Sequence, residues 1–305
     1  MKTWVGIACG ALLVTTVSAA QAQDCDADCL RNIATDYMRE LTTQDWSRLP
    51  WGERVRYTEN NVAMMIGDGF WGAGPSLVND GLILPDPATG NVVWFGITAE
   101  HGQAAYTGVR LQVENQRIVA VEAYHGREGT PEVFAPTADY RLDAAYTTAL
   151  PAGERRSREQ MVALVDGWFD TRQLNSGELH TAIAEDCVQH VNGMNVSVGE
   201  YWAAQVAQGC LTQLQQGLFK PVDRIRARRY PVIDTETGVV VALSLEDHAT
   251  RYVDYTSTDG VPLKVEVEYP NTRGRLELFR LRNGAIERVD GISVFLPYYI
   301  ASLWE

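Results

Sequence analysis

The chain has 305 residues, 46% of them hydrophobic and 21% charged, with 26 Gly and 12 Pro. This ordinary globular composition excludes collagen, coiled coils and wholesale disorder, and the length leaves room for two domains. Because 39 Asp and Glu outnumber 26 Lys and Arg, the formal net charge is −13, which disfavours nucleic acid and anionic membranes as partners.

Residues 1–22 have the pattern of a signal peptide. Lys2 supplies the positive charge, an apolar stretch runs from Trp4 to Val17, and Ala20-Gln21-Ala22 is a small-x-small cleavage site. A membrane anchor, the alternative, needs about 20 apolar residues, and this run is shorter. We therefore expect a mature protein that is periplasmic or secreted and has no membrane segment after cleavage.

Signal cleavage removes Cys9 and leaves Cys25, Cys29, Cys187 and Cys210. Four cysteines allow three pairings, and the simplest joins Cys25 to Cys29 and Cys187 to Cys210, because each of these pairs is close in sequence. Zinc binding is the alternative, but no Cys-x-x-Cys motif or nearby pair of histidines supports it. We favour two disulfides, which suit an oxidising compartment.

The two halves of the chain begin with similar helices. Apolar residues at helical spacing predict one helix around Leu30–Leu41 and another around Met161–Phe169. The second helix is preceded by Ser157 and Gln160, which fit a capping box. A short polar stretch and a strand follow each helix, so the order of elements is repeated.

The clearest internal match lies near the end of each half. Residues 109–125 can be laid on residues 277–293 without a gap, and both segments have the pattern of a β-hairpin with Asn at its tip. A bridge containing Pro151-Ala152-Gly153 separates the halves. We therefore expect a first domain at residues 23–135, a linker at 136–156 and a second domain at 157–305.

This order of elements predicts an α+β fold, in which each half is a cone made of a curved antiparallel sheet wrapped on about three helices. Each half resembles a nuclear transport factor 2-like, or SnoaL-like, domain. The whole chain is similar to a tandem family, common in fungi and present in bacteria, that carries a domain of unknown function. The stretches that carry the resemblance are Cys25-x-x-x-Cys29-Leu30, Tyr57-Thr58-Glu59-Asn60-Asn61, Gly67-x-Gly69-x-Trp71, Arg228-Arg229-Tyr230-Pro231, Glu277-Leu278-Phe279 and Pro297-Tyr298. The resemblance implies that the two sheets pack as an internal pseudo-dimer, so we expect a monomer in solution.

Motifs for common cofactors and metals are missing from the sequence. Gly67-Asp68-Gly69-Phe70-Trp71-Gly72 fits G-x-G-x-x-G, but the Ala-Gly-Pro-Ser that follows cannot open a helix that receives a pyrophosphate. There is no G-x-S-x-G elbow and no His-Glu-x-x-His, and the five histidines are scattered. We predict that the protein needs no cofactor and no metal.

Acidic residues on otherwise apolar strands are the main candidates for chemistry, because a buried carboxylate needs a partner or a use. Glu122 and Asp290 occupy the same position when the two hairpins are superposed. In domains that the halves resemble, including ketosteroid isomerase and scytalone dehydratase, acidic, His and Tyr groups inside the cone transfer protons. Burial that raises the pKa of either acid would make it a general base. The alternative is a structural pairing with Arg110, Arg280 or Arg288.

A second group of candidates lies on the strand that follows the first helix of each half. Tyr57 and Glu59 share one face of this strand. The second half has Val191 at the position of Glu59, so His190 is the candidate proton shuttle there, with a structural role as its alternative. Tyr298 is a further candidate donor to an oxyanion. The residues expected to line a pocket, rather than to fill the core, are Asn60, Trp71, Trp94, Glu100, Tyr124, Tyr230 and His248.

Three functions fit these observations. The first is an exported, cofactor-independent enzyme that isomerises, dehydrates or cleaves a small hydrophobic or aromatic molecule by proton transfer. The second is a non-catalytic module whose cones hold a small apolar ligand. The third is a structural role in which the cones are filled. An open cavity that brings together Tyr57, Glu59 and Glu122 would favour the first.

Overall fold

A computed structural model describes residues 25–138, 140–198, 209–251, 254–264 and 269–305. The predicted signal peptide lies outside the described residues. Within these ranges, no helix is both long enough and apolar enough to cross a membrane. Both predicted disulfides, Cys25–Cys29 and Cys187–Cys210, are confirmed.

The first half consists of two α-helices and a seven-stranded sheet. The sheet has the strand order β2-β1-β7-β6-β5-β3, and β4 pairs with β5. Its elements are α1 (Ala27–Thr43), a 3-10 turn (Trp46–Arg48), β1 (Trp51–Glu59), β2 (Val62–Ala63), α2 (Phe70–Ala73), β3 (Ser76–Leu77), β4 (Leu82–Asp86), β5 (Asn91–Glu100), β6 (Gln103–Glu114) and β7 (Arg117–Arg127).

The second half has a six-stranded sheet with the order β10-β11-β14-β15-β8-β9 and a separate hairpin, β12-β13, between β11 and β14. Two 3-10 turns, Ala144–Thr147 and Ala152–Glu154, lie in the predicted linker. The described elements that follow are α3 (Arg158–Leu174), β8 (Ile183–Val191), β9 (Met194–Asn195), α4 (Cys210–Gln215), β10 (Arg224–Asp234), β11 (Val239–His248), β12 (Asp254–Thr256), β13 (Pro262–Lys264), β14 (Asn271–Arg282) and β15 (Ala285–Pro297).

The fold is α+β, as predicted, and the strand registers of the two halves match. Arg110 lies opposite Glu122 in the first sheet, and Leu278 lies opposite Asp290 in the second, as the superposed hairpins require. Each sheet is mixed, because its first long strand runs parallel to its last one: β1 beside β7 and β8 beside β15. The long connection between these two strands is what permits a parallel pair.

The two long helices begin at capping side chains and end at residues with a left-handed backbone conformation. In α1, the Asp26 carboxylate accepts a hydrogen bond from the backbone N–H of Cys29, and Gln44 ends the helix with a left-handed φ of 57°. In α3, Ser157 and Gln160 form the predicted capping box, and Asn175 ends the helix with a φ of 48°. These caps bind backbone groups that have no partner within the helix.

Three apolar cores hold the molecule together: one inside each cone and one between the two sheets. The core between the sheets joins Val93 and Phe95 of the first half to Leu243, Leu276 and Ile292 of the second. The sheets approach closely because glycine stands at their contact; a Cβ on Gly108 would lie 2.8 Å from Leu276. The predicted pseudo-dimer is therefore confirmed.

Each half ends in a segment that crosses to the other half. We call residues 128–147 the first arm and residues 298–305 the second arm. In the first arm, the Tyr146 hydroxyl lies 3.1 Å from the carbonyl oxygen of Leu278 and 2.7 Å from the Asp290 carboxylate. In the second arm, the indole N–H of Trp304 donates to Thr58. The halves thus exchange their final segments reciprocally.

Candidate functional site

Glu122, predicted to be a general base in the first cone, lies instead between the two sheets. Its carboxylate accepts hydrogen bonds from Arg229 of the second half, at 2.6 and 2.9 Å, and from Arg110 at 3.3 Å. Alternation along β7 turns the neighbouring Val121 and Ala123 into the first cone and Glu122 away from it. These contacts favour the structural pairing with arginine, and the catalytic role of Glu122 stays a prediction.

Asp290 and His190 also lie outside the cone interior. The Asp290 carboxylate accepts hydrogen bonds from Tyr146 at 2.7 Å and from Arg288 at 2.6 Å, and His190 Nδ1 is 3.3 Å away. Burial opposes ionisation of Asp290, but His190 and Arg288 outweigh burial and lower its pKa. A carboxylate held in the ionised state by three partners is an ion-pair site. These contacts favour a structural role for Asp290 and His190, and their catalytic roles stay predictions.

Tyr57 and Glu59 do meet inside the first cone. The Glu59 carboxylate accepts a hydrogen bond from the Tyr57 hydroxyl and another, at 2.8 Å, from the backbone N–H of Phe70. Burial raises the pKa of Glu59, although these two hydrogen bonds oppose the shift. Tyr57 is buried in the apolar core that also contains Tyr37 and Trp71, whereas Glu59 is half-buried. The pair therefore lies where this core meets partly exposed residues, and Glu122, predicted to join it, is elsewhere.

Asn60, predicted to line a pocket, has a structural role that is repeated in the second half. Asn60 and Asn192 both have left-handed φ values, 47° and 44°. Their side-chain oxygens accept hydrogen bonds from the backbone N–H groups of His125 and Ser293, which occupy equivalent positions on β7 and β15. Each Asn follows the end of its strand and connects it to the neighbouring strand, which favours a structural role for Asn60; its pocket role stays a prediction.

Most of the other predicted lining residues also have structural partners. Trp71 and Trp94 are buried in the core of the first cone, and Tyr124 is buried between the sheets. Glu100 forms an ion pair with Arg127, Tyr230 donates to Asp166, and the candidate donor Tyr298 is on the surface. These placements favour core or ion-pair roles. The pocket roles of Trp71, Trp94, Glu100, Tyr124 and Tyr230 and the catalytic role of Tyr298 stay predictions.

His248 is the predicted lining residue that lies on the wall of a cavity in the second cone. This cavity has a volume of about 220 Å³. Its apolar wall includes Val191, Val196, Leu218, Phe219 and Val222. Its polar wall includes Arg172, Glu246, His248, Asn271, Arg273 and Arg275, and the first arm contributes Pro131, Glu132 and Val133.

His248 and Glu246 form a buried pair on this wall. His248 Nε2 lies 2.8 Å from Glu246 Oε1, and the same carboxylate is 2.8 Å from Arg172 and 3.0 Å from Arg275. Burial opposes ionisation of Glu246, but the two arginines and His248 outweigh it and hold its pKa well below the usual value. Burial and the charge of Arg273 lower the pKa of His248, although Glu246 opposes this shift. The pair is therefore a carboxylate beside a neutral imidazole at neutral pH.

A second acid, Glu277, lies deeper in the cone, on the face of β14 that also carries Arg273 and Arg275. Both Arg172 Nη1 and Arg275 Nη1 are 3.9 Å from Glu277 Oε1, too far for a hydrogen bond. Burial raises the pKa of Glu277 more than the two arginines lower it. Arg273, nearer the mouth, forms an ion pair with Glu132 of the first arm at 3.1 Å. The charged wall thus extends from the mouth of the cone towards its apolar end.

The charged wall is specific to the second half. By strand register, Glu246, Arg275 and Glu277 correspond to Thr98, Thr107 and Val109 in the first half. Thr98 and Thr107 bond to each other at 2.7 Å, and Val109 belongs to the apolar core. Sequence reasoning singled out His248 but missed the arginines. The available signal was the alternation of charged residues along β14, at positions 273, 275 and 277.

Buried histidines should make the stability of the protein depend on pH. His125 is 2% exposed, and burial, aided by Arg127, lowers its pKa well below 6.5. Below about pH 6.5 the unfolded chain binds a proton at this position and the folded chain does not. Unfolding therefore takes up a proton, and the free energy of unfolding decreases as the pH is lowered. We expect the free energy of unfolding to lose up to about 1.4 kcal/mol per pH unit from His125 between about pH 6.5 and its folded pKa.

Urea unfolding at pH 7.5 and 5.5 would test this contribution. Raised pKa values at Glu59 and Glu277 act in the opposite direction, so the informative quantity is the difference between the wild type and His125→Gln. The variant should lose less stability than the wild type on acidification. The exposed His180 gives the matched control, His180→Gln. Parallel pH profiles for wild type and His125→Gln would show that His125 does not resist protonation.

Comparisons with known proteins give one family model and several distant solved structures. Residues 154–293 match the model of a family described as "Domain of unknown function (DUF8021)", which confirms the predicted similarity to such a family over the second half. No curated protein sequence is significantly similar to the chain. The solved structures that match parts of the chain include several described as NTF2-like or NTF-2 like proteins.

Three of the solved structures illustrate how distant these matches are. An NTF2-like protein from Cytophaga hutchinsonii is 15% identical, with a TM-score of 0.28, over 46% of this chain and 99% of that chain. An NTF-2 like protein of unknown function from Burkholderia xenovorans is 10% identical, with a TM-score of 0.29, over 48% and 90%. A pinacolase from Penicillium brevicompactum is 13% identical, with a TM-score of 0.27, over 48% and 88%.

Proposed function

We propose that the cavity of the second half is the active site of a cofactor-independent enzyme that transfers a proton to or from a small, partly apolar molecule. The observation that supports this proposal is the His248–Glu246 pair on the polar wall of a cavity whose other wall is apolar. Pairs of this kind orient an imidazole and keep it in one tautomer, which is what general acid–base catalysis requires. The proposal keeps the predicted reaction class and moves the site from the predicted acids to this pair.

The hydrogen bond to Glu246 assigns the tautomer of His248. Glu246 is ionised and can only accept, so His248 Nε2 carries the proton and Nδ1 carries the lone pair. Nδ1 is the atom that would take a proton from the bound molecule. When that proton leaves a carbon, negative charge develops on the molecule, and the positive field of the neighbouring arginines would stabilise it.

Ring opening of 5-nitrobenzisoxazole is a direct test of a general base in this cavity. Removal of the proton from its carbon forms a nitrile, breaks the N–O bond and releases a coloured phenolate. The two-ring molecule is small enough to be a reasonable probe of a cavity of about 220 Å³. We expect the wild type to catalyse this reaction and His248→Gln to be slower by about 100-fold or more. Because the pKa of His248 is lowered, the rate should remain constant as the pH falls through 6.5 and decline only at lower pH.

His180→Gln is the matched control, because it removes an exposed imidazole from the same half. Equal rates for wild type and His248→Gln, with both proteins folded, would contradict the assignment of His248 as the base. A ligand that stays bound in native mass spectrometry and is never altered would favour the binding module instead. We further propose that the protein acts as a monomer outside the cytoplasm, a location with which its two disulfides are compatible.

A further inference from the structure

The arginines of the second cavity have more hydrogen-bonding capacity than the acids around them use. Arg172 is 2% exposed and lines the cavity, yet its Nε and Nη1 atoms have no hydrogen-bond partner within the described part of the chain. Its remaining nitrogen, Nη2, lies 2.8 Å from Glu246. A buried guanidinium is costly unless its donors are satisfied, so these two donors require an acceptor that the described residues do not supply.

The neighbouring arginines have donors without acceptors as well. Arg275 is 3% exposed, and its Nε has no hydrogen-bond partner among the described residues. Arg273 Nε lies 3.1 Å from Glu132 Oε1, an ion-pair contact whose geometry is not that of a hydrogen bond. All three arginines line the same cavity. The donors of Arg172 and Arg275 that have no partner among the described residues thus belong to side chains on the wall of one volume.

Three acids face the three arginines, but their positions leave guanidinium donors without acceptors. Glu246 and Glu132 accept ion pairs from the three arginines, whereas Glu277 stands 3.9 Å from two of them and makes no hydrogen bond within the described residues. Glu277 therefore satisfies no guanidinium donor. One further negative group with two oxygen atoms would accept from the unused N–H groups, since arginine binds carboxylates through two parallel hydrogen bonds.

The apolar wall of the cavity indicates the chemical nature of the rest of the ligand. Phe219 packs with its ring centre 4.6 Å from the guanidinium of Arg172, and Leu218, Val191 and Val222 continue the apolar wall. A ligand with an apolar ring system and an acidic group at one end would match both parts of the cavity. A volume of about 220 Å³ suits one or two fused rings and is small for a nucleotide or a long lipid.

We propose that the second cavity recognises a small aromatic or alicyclic carboxylate, whose carboxyl group is bound by Arg172 and Arg273 while its ring contacts Phe219. The inference rests on the proposed function for the location of the site, and it adds the class of substrate. The carboxylate would hold the molecule while His248, on the same wall, exchanges a proton with it. Arg172 and Arg273 are thus assigned as specificity residues.

Calorimetric titration with 2-naphthoate and with its uncharged amide, 2-naphthamide, tests this inference. The two probes have the same ring system and differ in charge. We expect the wild type to bind 2-naphthoate at least about tenfold more tightly than the amide, since a charge-assisted bidentate contact exceeds a neutral one. In Arg273→Gln and Arg172→Gln this preference should shrink to about threefold or less, while binding of the amide is retained.

The controls separate this inference from the proposed function. Arg282→Gln removes an exposed arginine from the other end of β14 and should keep the full preference. Because the comparison of the two probes in the wild type needs no variant, a variant that does not fold leaves the test intact. Equal affinity of the wild type for both probes, or a preference unchanged in folded Arg172→Gln and Arg273→Gln, would overturn the inference. That outcome would leave the proposed proton transfer by His248 unaffected. A preference for 2-naphthoate in a protein without ring-opening activity would instead contradict the proton-transfer function and leave the carboxylate inference intact.

Discussion

Replacing Glu122 by alanine is expected to lower the free energy of unfolding by about 3–5 kcal/mol, because removing one partner of a buried ion pair leaves uncompensated charge. In this protein the charge left behind is that of Arg229 and Arg110, which lie between the two sheets. Both guanidinium groups also lie against the Trp304 ring of the second arm, at 5.6 and 5.1 Å from its centre. The variant should therefore weaken the contact between the halves as well as global stability. Urea unfolding followed by tryptophan fluorescence and by circular dichroism measures both effects.

The matched control for Glu122 is an exposed glutamate on the neighbouring strand. Glu114→Ala, at the end of β6, should change the free energy of unfolding by no more than about 0.5 kcal/mol. The ring-opening activity assigned to the second cavity should survive in Glu122→Ala at temperatures where the variant is folded. A loss of that activity with unchanged stability would support the predicted catalytic role of Glu122 and contradict the structural assignment.

Removing the Cys187–Cys210 disulfide is expected to cost about 3.5 kcal/mol, from the loop-closure entropy of the unfolded chain. The two cysteines are 23 positions apart in sequence, so the bond closes a long loop. Cys210 begins α4, and Gln213 of that helix donates to the carbonyl oxygen of Val196 on the cavity wall. The double variant Cys187→Ala, Cys210→Ala should therefore lose both stability and the preference for 2-naphthoate.

The other disulfide is an internal control for this expectation. Cys25 and Cys29 are four positions apart, so the double variant Cys25→Ala, Cys29→Ala should cost only about 2 kcal/mol by the same relation. It lies in the first half and should leave naphthoate binding unchanged. Equal losses of stability in the two double variants would show that loop length does not determine the contribution of these bonds.

The duplicated architecture was predictable because it depends on local and periodic signals. The capping box at Ser157, the hairpin tips and the superposition of Glu122 on Asp290 are all visible in the sequence, and the structure confirms them. These features depend on residues close together in the chain or on spacing along a strand. The same is true of the disulfides, whose simplest pairing was the one observed.

The location of the site was harder to predict, for a physical reason. Alternation shows which residues share a face of a strand, but it does not show which face looks into the cone. In this protein the face of each sheet that points away from its cone is also buried, because the other sheet packs against it. A buried position for Glu122 and Asp290 was therefore compatible with either face. The arginines of β14 carried the missing information, since a buried row of charge is uncommon without a ligand or a partner.

The exchange of arms means that neither half is self-sufficient. In a fragment that ends before residue 128, Thr58 and Arg110 would lose their contacts with Trp304. In a fragment that begins at residue 150, Asp290 would lose its hydrogen bond from Tyr146. The cavity of the second half would also lose Glu132, its acidic contribution from the preceding segment. The covalent link between the two units therefore matters for the cavity, because a segment that follows the first unit forms part of the wall of the cavity in the second.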